Sequence, residues 1–396
     1  MSIKKPPHIT SGVRVLAALA IAGTVTLTAA CSGGGVSAQK LIPRGQGSGT
    51  SAGASSSAFG PGLGLYDGDS DPSGIETAAK WLGSSSSIKY AQDFIDATDW
   101  AHIEQPYQLS AWKGSPFTMI WGVPMIPCVT GPSTQCSTNV PDYNLAASGG
   151  ANDHFKTLAK NLVSAGFGTS YIRLGWEMNA SDMGWAVCNS DGSAPQSWIK
   201  DFVPTFRNIV TSMRSVSGAN FKFIWNPIDT SNSSCPGVHM ENLYPGDSYV
   251  DVVALDVYDG IATKMSDATR FSDLLNGTGS GGYVAESPYA VNGQSFKGDG
   301  YGLKWLAAFG KAHKKEISLP EWGLDSTSQN AGGGDDAYFM TQMADWIKAN
   351  ATGPAVFWNE GDPSGTGTLP LNIQNYTSAK TPNATAAFKA AFSAGL

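Results

Sequence analysis

The chain has 396 residues, a net charge of −7 at pH 7, and only 14% charged residues. This length is sufficient for one large α/β barrel or for two ordinary domains. Because the basic residues are few and scattered, the sequence has no electrostatic footprint for a phosphate backbone and excludes a typical nucleic-acid-binding protein. The 47 Gly, 12 Trp and 13 Tyr residues suit an exported enzyme with long polar loops, although ordinary buried aromatic residues explain them equally well.

Residues 1–30 are typical of an export signal, because three basic residues precede an apolar run that is too short for a confident membrane span. Small residues lead up to Cys31, as in a bacterial lipoprotein signal that is cleaved before a lipid-bearing cysteine. An ordinary secretory signal cut after Ala38 is the alternative. Both interpretations of the signal predict an exported protein, either lipid-anchored at the bacterial cell surface or secreted. Residues 31–59 are rich in Gly and Ser and predict a flexible tether, and residues 60–396 predict a single folded domain.

Apart from Cys31, the chain has four cysteines: Cys128, Cys136, Cys188 and Cys235. An even number in an oxidising compartment predicts disulfides, for which the sequence alone allows three pairings. Their positions in the predicted loops favour Cys128–Cys136 and Cys188–Cys235. No cysteine or histidine spacing is typical of a metal site, so we expect no metal and no cofactor.

Short apolar runs alternate with helix-like segments along the whole folded part. The predicted strands are 63–66, 87–90, 117–126, 171–177, 221–227, 250–258, 317–322 and 355–359, and helical stripes lie within 152–166, 199–213 and 335–347. Eight strands alternating with helices predict a parallel sheet closed into a (β/α)₈ (TIM) barrel. An open doubly wound sheet is the alternative, but Gly62-Leu63-Gly64 lacks the glycine-rich continuation that a nucleotide-binding turn requires.

Two glutamates lie at the ends of predicted strands, Glu177 at the end of the fourth and Glu321 at the end of the seventh. The carboxyl ends of barrel strands carry the functional groups of this architecture, and an apolar strand interior does not tolerate an unpaired charge. Two carboxylates across a barrel mouth are what glycoside cleavage requires, with one as proton donor and the other acting on the anomeric carbon. Arg173 lies inside an apolar strand and needs a carboxylate partner, which makes it the candidate to orient a glutamate.

These motifs resemble clan A of the glycoside hydrolases, whose members are retaining enzymes. The run from Arg173 to Asn179 is most similar to the Arg-x-x-His-Glu-Met-Asn pattern of family 26, the endo-β-mannanases. The resemblance implies that Glu177 is the acid/base and Glu321 the nucleophile. It further implies that the substrate-binding residues are Arg173, Trp176, Asn179, Trp185, Asp256, Tyr258 and Trp358. Of these, Asp256 and Tyr258 match the family's Asp-x-Tyr, in which the Tyr hydrogen-bonds the nucleophile and the Asp contacts sugar.

Further details of the resemblance concern aromatic residues. Trp185 resembles an aromatic subsite wall, with core packing as an equal alternative, and Trp358 resembles the platform beneath the sugar. The chain departs from the family pattern because Trp176 replaces the His before the acid/base, and no His follows the third strand. This departure makes mannan one option beside glucan, xylan and envelope glycans.

The sequence therefore predicts a monomeric, retaining endo-β-glycosidase acting on a β-linked polysaccharide. A cell-surface glycan-binding lipoprotein without turnover is the alternative, and the presence of both glutamates argues against it.

Overall fold

The computed structural model describes residues 58–83, 87–130, 136–137, 140–229, 233, 235, 238–260, 265–278, 290–291, 294–295, 300–327, 332–361, 368–373 and 380–396. The predicted export signal, Cys31 and the tether up to residue 57 lie outside these ranges and stay predictions.

Eight parallel strands form a closed barrel. Each strand pairs with the next in chain order, and the eighth pairs with both the seventh and the first. The strands are β1 (Gly62–Tyr66), β2 (Tyr90–Phe94), β3 (Thr118–Val123), β4 (Tyr171–Leu174), β5 (Lys222–Trp225), β6 (Val252–Ala254), β7 (Glu316–Asp325) and β8 (Pro354–Trp358). The predicted (β/α)₈ barrel is confirmed, and the doubly wound alternative is excluded.

Helices connect these strands and cover the outside of the barrel. They are α1 (Pro72–Leu82), α2 (Trp100–Glu104), α3 (Gln108–Trp112), α4 (Val140–Ala147), α5 (Asn152–Ser164), α6 (Gln196–Arg214), α7 (Asp267–Asn276), α8 (Leu303–His313), α9 (Ala337–Asn350) and α10 (Pro382–Phe392). The three predicted helical stripes fall on α5, α6 and α9. Asp336 caps α9 by accepting a hydrogen bond from the Phe339 amide at 2.8 Å, as an acidic residue at a helix start does. None of the described helices is both long and apolar enough to cross a membrane.

Several short elements lie outside these strands and helices. Two antiparallel pairs are formed by Val129–Thr130 with Cys136–Ser137 and by Ala290–Val291 with Gln294–Ser295. Two short strands pair with the carboxyl-terminal part of β7, namely Val257–Tyr258 in parallel and Thr368–Leu369 in antiparallel orientation, and a 3₁₀ turn covers Met240–Leu243.

Two apolar layers result from the alternation of side chains along the strands. The barrel interior holds one layer, made of Tyr66, Tyr90, Ile120, Tyr171, Ile224, Val252, Ala254 and Val356. The larger layer lies between the strands and the helices. The ring of Phe59 contacts Tyr171 edge-on at 4.9 Å between centroids and packs on the interior layer at the amino-terminal end of the strands. The barrel is therefore a filled core, and its open face is at the carboxyl ends of the strands.

Strand β2 corrects one expectation. The sequence predicted a strand at 87–90, but β2 runs from Tyr90 to Phe94 and includes the buried polar residues Gln92 and Asp93. Asp93 is tolerated there because it accepts hydrogen bonds from the Trp112 indole, the Phe94 amide and the Ser70 amide. These contacts, rather than hydrophobicity, permit the strand.

Candidate active site

Glu177 lies three residues beyond β4, in a sharp turn with an unusual backbone. Gly175 and Glu177 both have positive φ, +55° and +50°. A side chain at Gly175 would place its Cβ 2.1 Å from Sδ of Met125, so only glycine fits. For Glu177, a non-glycine residue, the left-handed conformation costs about 1–2 kcal/mol. Its amide donates to the carbonyl of Asn226 at 2.7 Å, which holds the turn against the end of β5.

Glu321 lies within β7, where the ladder to β8 is irregular. The pairing shifts register between Leu319 and Trp322, and Pro320 in this interval has no amide to donate. The irregularity turns Glu321 towards the barrel mouth, because a residue added to a strand re-aims the side chain next to it. The side chain is 5% exposed, so its charge requires partners.

Arg173 supplies one of those partners at the centre of the mouth. Its guanidinium, which is fully buried, contacts Glu321 through Nη1 and Asp256 through Nη2. Tyr258 donates a second hydrogen bond to Glu321, from its hydroxyl to Oε2 at 2.6 Å. The two oxygens of Glu321 are thus held by different donors, which fixes the orientation of the carboxylate.

The carboxylates of Glu177, Asp256 and Glu321 are close together. One oxygen of each lies within 4.8 Å of the others. Carboxylates are also the ligands that divalent cations prefer, but the guanidinium of Arg173 already occupies the cationic position beside Glu321 and Asp256. A pair of glutamates at this spacing can act together on one bond between them.

Charge in this cluster is unbalanced, with three carboxyl groups around one guanidinium. Burial lowers the pKa of Arg173, but the carboxylates of Asp256, Glu321 and Glu177 outweigh it and raise the pKa above its usual range. Burial raises the pKa of Asp256 well above its usual range, against the opposing effect of Arg173, and the charges of Glu321 and Glu177 raise it further. Burial and the neighbouring carboxylates thus favour the neutral form of Asp256, and Arg173 opposes them.

The other predicted binding residues lie near this centre in different environments. Trp358, at the end of β8, is half-buried and stacks on Tyr66 at 4.1 Å between centroids. Trp176 is 7% exposed and lies within 5.5 Å of the Arg173 guanidinium. Trp185 is 2% exposed and donates its indole N–H to the carbonyl of Trp176 at 2.7 Å, a position behind Trp176 that supports it.

Asn179 and Asp256 are buried to 1% and 0% exposure. The amide of Asn179 is engaged with the backbone of Ile228, donating to its carbonyl at 2.8 Å and accepting from its N–H at 2.9 Å. This side chain holds the turn after β4 to the segment after β5. Asp256 is engaged by Arg173, so both residues hold neighbouring groups of the protein in this structure.

Sequence reasoning missed Phe94, at the end of β2. This half-buried ring lies 5.0 Å from Trp176, 5.9 Å from Trp358 and 5.4 Å from Tyr66, and 5.5 Å from the guanidinium carbon of Arg173. The available signal was Gly122 on the neighbouring strand, where a Cβ would approach the Phe94 ring to 2.4 Å.

A disulfide braces the same rim. Cys188, in the segment after β4, is bonded to Cys235, in the segment after β5, as the loop positions predicted. The side chain of Cys136 lies outside the described residues, so the Cys128–Cys136 pair stays a prediction.

The sequence of this chain also matches a known protein family. A model of glycosyl hydrolase family 26 matches residues 157–288. The resemblance to glycoside hydrolase family 26 is confirmed. The matched range includes Glu177, Asp256 and Tyr258 but ends before Glu321. The closure of the barrel brings Glu321 to the same mouth.

Solved structures have the same barrel fold. The catalytic domain of a family 26 endo-β-1,4-mannanase from Bacillus sp. JAMB-750 is 15% identical, with a TM-score of 0.52 over 84% of this chain and 86% of that one. A modular endo-β-1,4-mannanase from Cellulomonas fimi is 16% identical, with a TM-score of 0.50 over 83% of this chain and 70% of that one. No curated protein matches the chain. Together, the family 26 match and the barrel support a glycoside hydrolase.

Proposed function

We propose that this protein is a retaining endo-β-glycosidase that hydrolyses a β-linked polysaccharide by double displacement. The observation that carries the proposal is the spacing of Glu177 and Glu321, with a carboxylate oxygen of each within 4.8 Å. Retaining glycosidases hold their two carboxyl groups about 5–5.5 Å apart, whereas inverting enzymes leave about 6.5–9.5 Å for a water molecule. The short spacing favours direct attack by a carboxylate.

In the first step, Glu321 attacks the anomeric carbon while Glu177 gives its proton to the leaving glycosidic oxygen. The glycosidic bond breaks and a glycosyl ester forms on Glu321. Arg173 and Tyr258 hold the two oxygens of Glu321 for this attack. The proposal assigns the proton donor role to Glu177 because Glu321 already accepts hydrogen bonds from two donors, which suits a carboxylate that attacks.

In the second step, Glu177 is a carboxylate and takes a proton from a water molecule, which attacks the glycosyl ester. The ester bond breaks, Glu321 is released as a carboxylate, and Glu177 is protonated again. The two residues thus alternate roles without a cofactor.

Two variants separate these roles. Glu321→Ala is expected to abolish turnover of an aryl β-glycoside, and azide is expected to restore part of it as an α-glycosyl azide, formed from the vacated face. Glu177→Ala is expected to slow substrates with poor leaving groups far more than activated ones, because only the former need a proton donor. Near wild-type activity of Glu321→Ala, or an α-azide product from Glu177→Ala, would contradict the assignment. A wild-type protein that binds oligosaccharides but releases no reducing ends would instead be a glycan-binding protein.

The solved mannanases suggest mannan as one substrate, and glucan, xylan and envelope glycans are the others to be tested. Incubation with a panel of these polysaccharides, followed by sizing of the products, distinguishes them and separates internal from terminal cleavage.

Export is the second part of the proposal. The Cys188–Cys235 disulfide fits an oxidising compartment, and we propose that Cys31 carries a lipid anchor on a monomeric enzyme. Cys31→Ser should move the protein from the membrane fraction to the medium with its activity intact. Wild-type protein found wholly in the medium would refute the anchor.

A further inference from the structure

The mouth beside the two glutamates has an aromatic surface, which we call the aromatic floor and define as Tyr66, Phe94, Trp176 and Trp358. Phe94 is its centre, with the other three rings at 5.0 to 5.9 Å between centroids. The floor extends from β8 through β1 and β2 to the turn after β4.

The aromatic floor adjoins the reacting groups through Arg173. The guanidinium carbon is 5.5 Å from the centroids of both Phe94 and Trp176, while its nitrogens contact Glu321 and Asp256. Trp176 also directly precedes Glu177 in the chain. The two rings therefore lie beside the groups that hold Glu321, next to the space where a sugar with its anomeric carbon between the glutamates would bind.

Several features keep the floor in place. Gly122 leaves room for the Phe94 ring, since a Cβ there would approach it to 2.4 Å. Trp185 supports Trp176 from behind, with centroids 4.5 Å apart and a hydrogen bond to its carbonyl. Trp358 is stacked on Tyr66, whose hydroxyl is fixed by a hydrogen bond to Asp69 at 3.0 Å. The rings cannot easily withdraw to make space for a polar group.

An aromatic surface discriminates sugars by the orientation of their hydroxyl groups. A pyranose with only equatorial hydroxyls presents C–H groups on both faces, and these pack on aromatic rings. An axial hydroxyl projects from a face, and against a ring it loses its water hydrogen bond without a replacement, which costs free energy. Contacts to the 2-hydroxyl contribute most to the difference in rate between sugars, because they strengthen in the transition state.

We propose that Phe94 and Trp176 determine specificity, so that the sugar at the point of cleavage is an all-equatorial pyranose of gluco or xylo configuration and not a mannose with its axial 2-hydroxyl. This inference rests on the proposed glycosidase function and names its substrate class. An apolar pocket rejects an added or misplaced hydroxyl by at most about 100-fold. We therefore expect 10- to 100-fold higher kcat/KM on gluco or xylo substrates, at about 10-fold per 1.4 kcal/mol.

The experiment compares three substrates with the same activated leaving group: an aryl β-cellobioside, β-xylobioside and β-mannobioside. Wild-type protein is expected to prefer the first two. Trp176→His supplies a ring N–H donor and is expected to lower the preference at least five-fold, chiefly by raising kcat/KM on the mannobioside. Trp176→Phe, the matched control, keeps an apolar ring and is expected to keep the preference. Equal or better mannobioside cleavage by the wild type, or the same ratio in both variants, would overturn the inference.

A binding measurement keeps the inference falsifiable if either variant misfolds or if the wild type does not turn over any substrate. Calorimetric titration of wild-type protein with cellotetraose, xylotetraose and mannotetraose should show at least 10-fold weaker binding of the mannan fragment. Absence of turnover with this preference intact refutes the glycosidase function alone. Equal affinities, or no binding to any of the three, refutes the specificity.

Discussion

The hydrogen bond from Tyr258 to Glu321 offers the sharpest test of how the site works. The bond is 2.6 Å long and buried, with Tyr258 at 1% exposure. A hydrogen bond to a charged group contributes about 1.5–3 kcal/mol, and Tyr258→Phe removes it while keeping the ring. Because the bond holds Glu321 in its orientation for attack, its loss is expected to lower kcat, by about 10- to 150-fold if its whole free energy is lost from the reaction.

The matched control is Tyr301→Phe. Tyr301 is equally buried, and its hydroxyl donates a hydrogen bond to Glu241 at 2.8 Å. This is the same type of hydrogen bond, but neither residue belongs to the group around Glu177 and Glu321. Both variants should lose similar stability in urea unfolding, but only Tyr258→Phe should lose kcat, measured at saturating aryl glycoside and with little change in KM. If Tyr258→Phe stays within two-fold of wild type, or if both variants lose kcat equally, the positioning role is refuted.

Three further outcomes follow from the structure. Cys188→Ser removes a disulfide that spans 47 residues, and a loss of up to about 4 kcal/mol of unfolding free energy is expected in urea titrations; an unchanged midpoint would show that the bond does not brace the rim. Burial raises the pKa of Asp93 to about 7, so the folded state binds more protons than the unfolded chain between about pH 4 and 7. The stability of wild-type protein should therefore fall across this window more steeply than that of Asp93→Asn, and equal slopes would contradict the shift. Gly122→Ala should displace Phe94 at a cost of about 1–3 kcal/mol, whereas Gly184→Ala, whose Cβ would find its nearest neighbour at 3.6 Å, should be neutral in the same thermal melts.

The barrel could be predicted from the sequence because seven of its strands are apolar runs near their observed positions. Glu177 and Glu321 were recognisable because each ends or interrupts such a run, where a carboxylate requires a function or a partner. The same reasoning misplaced β2, since it assumes that a buried strand is apolar. Asp93 is buried there with hydrogen bonds that include one from the Trp112 indole, 19 residues away, and no local pattern reveals that contact.

The aromatic floor could be predicted only in part, because the resemblance indicated Trp176 and Trp358 but neither Tyr66 nor Phe94. Phe94 meets Trp176 and Trp358 only because barrel closure brings β8 and the turn after β4 to the end of β2. Phe94 and Tyr66, taken singly, have the sequence signature of ordinary core residues. Long-range contacts of this kind depend on strand order and register, and a single-residue error in β2 would point Phe94 to the other face.

The surplus of negative charge around Arg173 bears on inhibition. Three carboxyl groups share one guanidinium, so the cluster has a net charge of −2 when all three are ionised and of −1 when one of them is protonated. Repulsion among these groups is relieved when positive charge arrives between them, as it does when the sugar ring gains oxocarbenium character. An iminosugar whose ring nitrogen is protonated carries that charge permanently, so it should bind this mouth more tightly than the neutral sugar of the same shape.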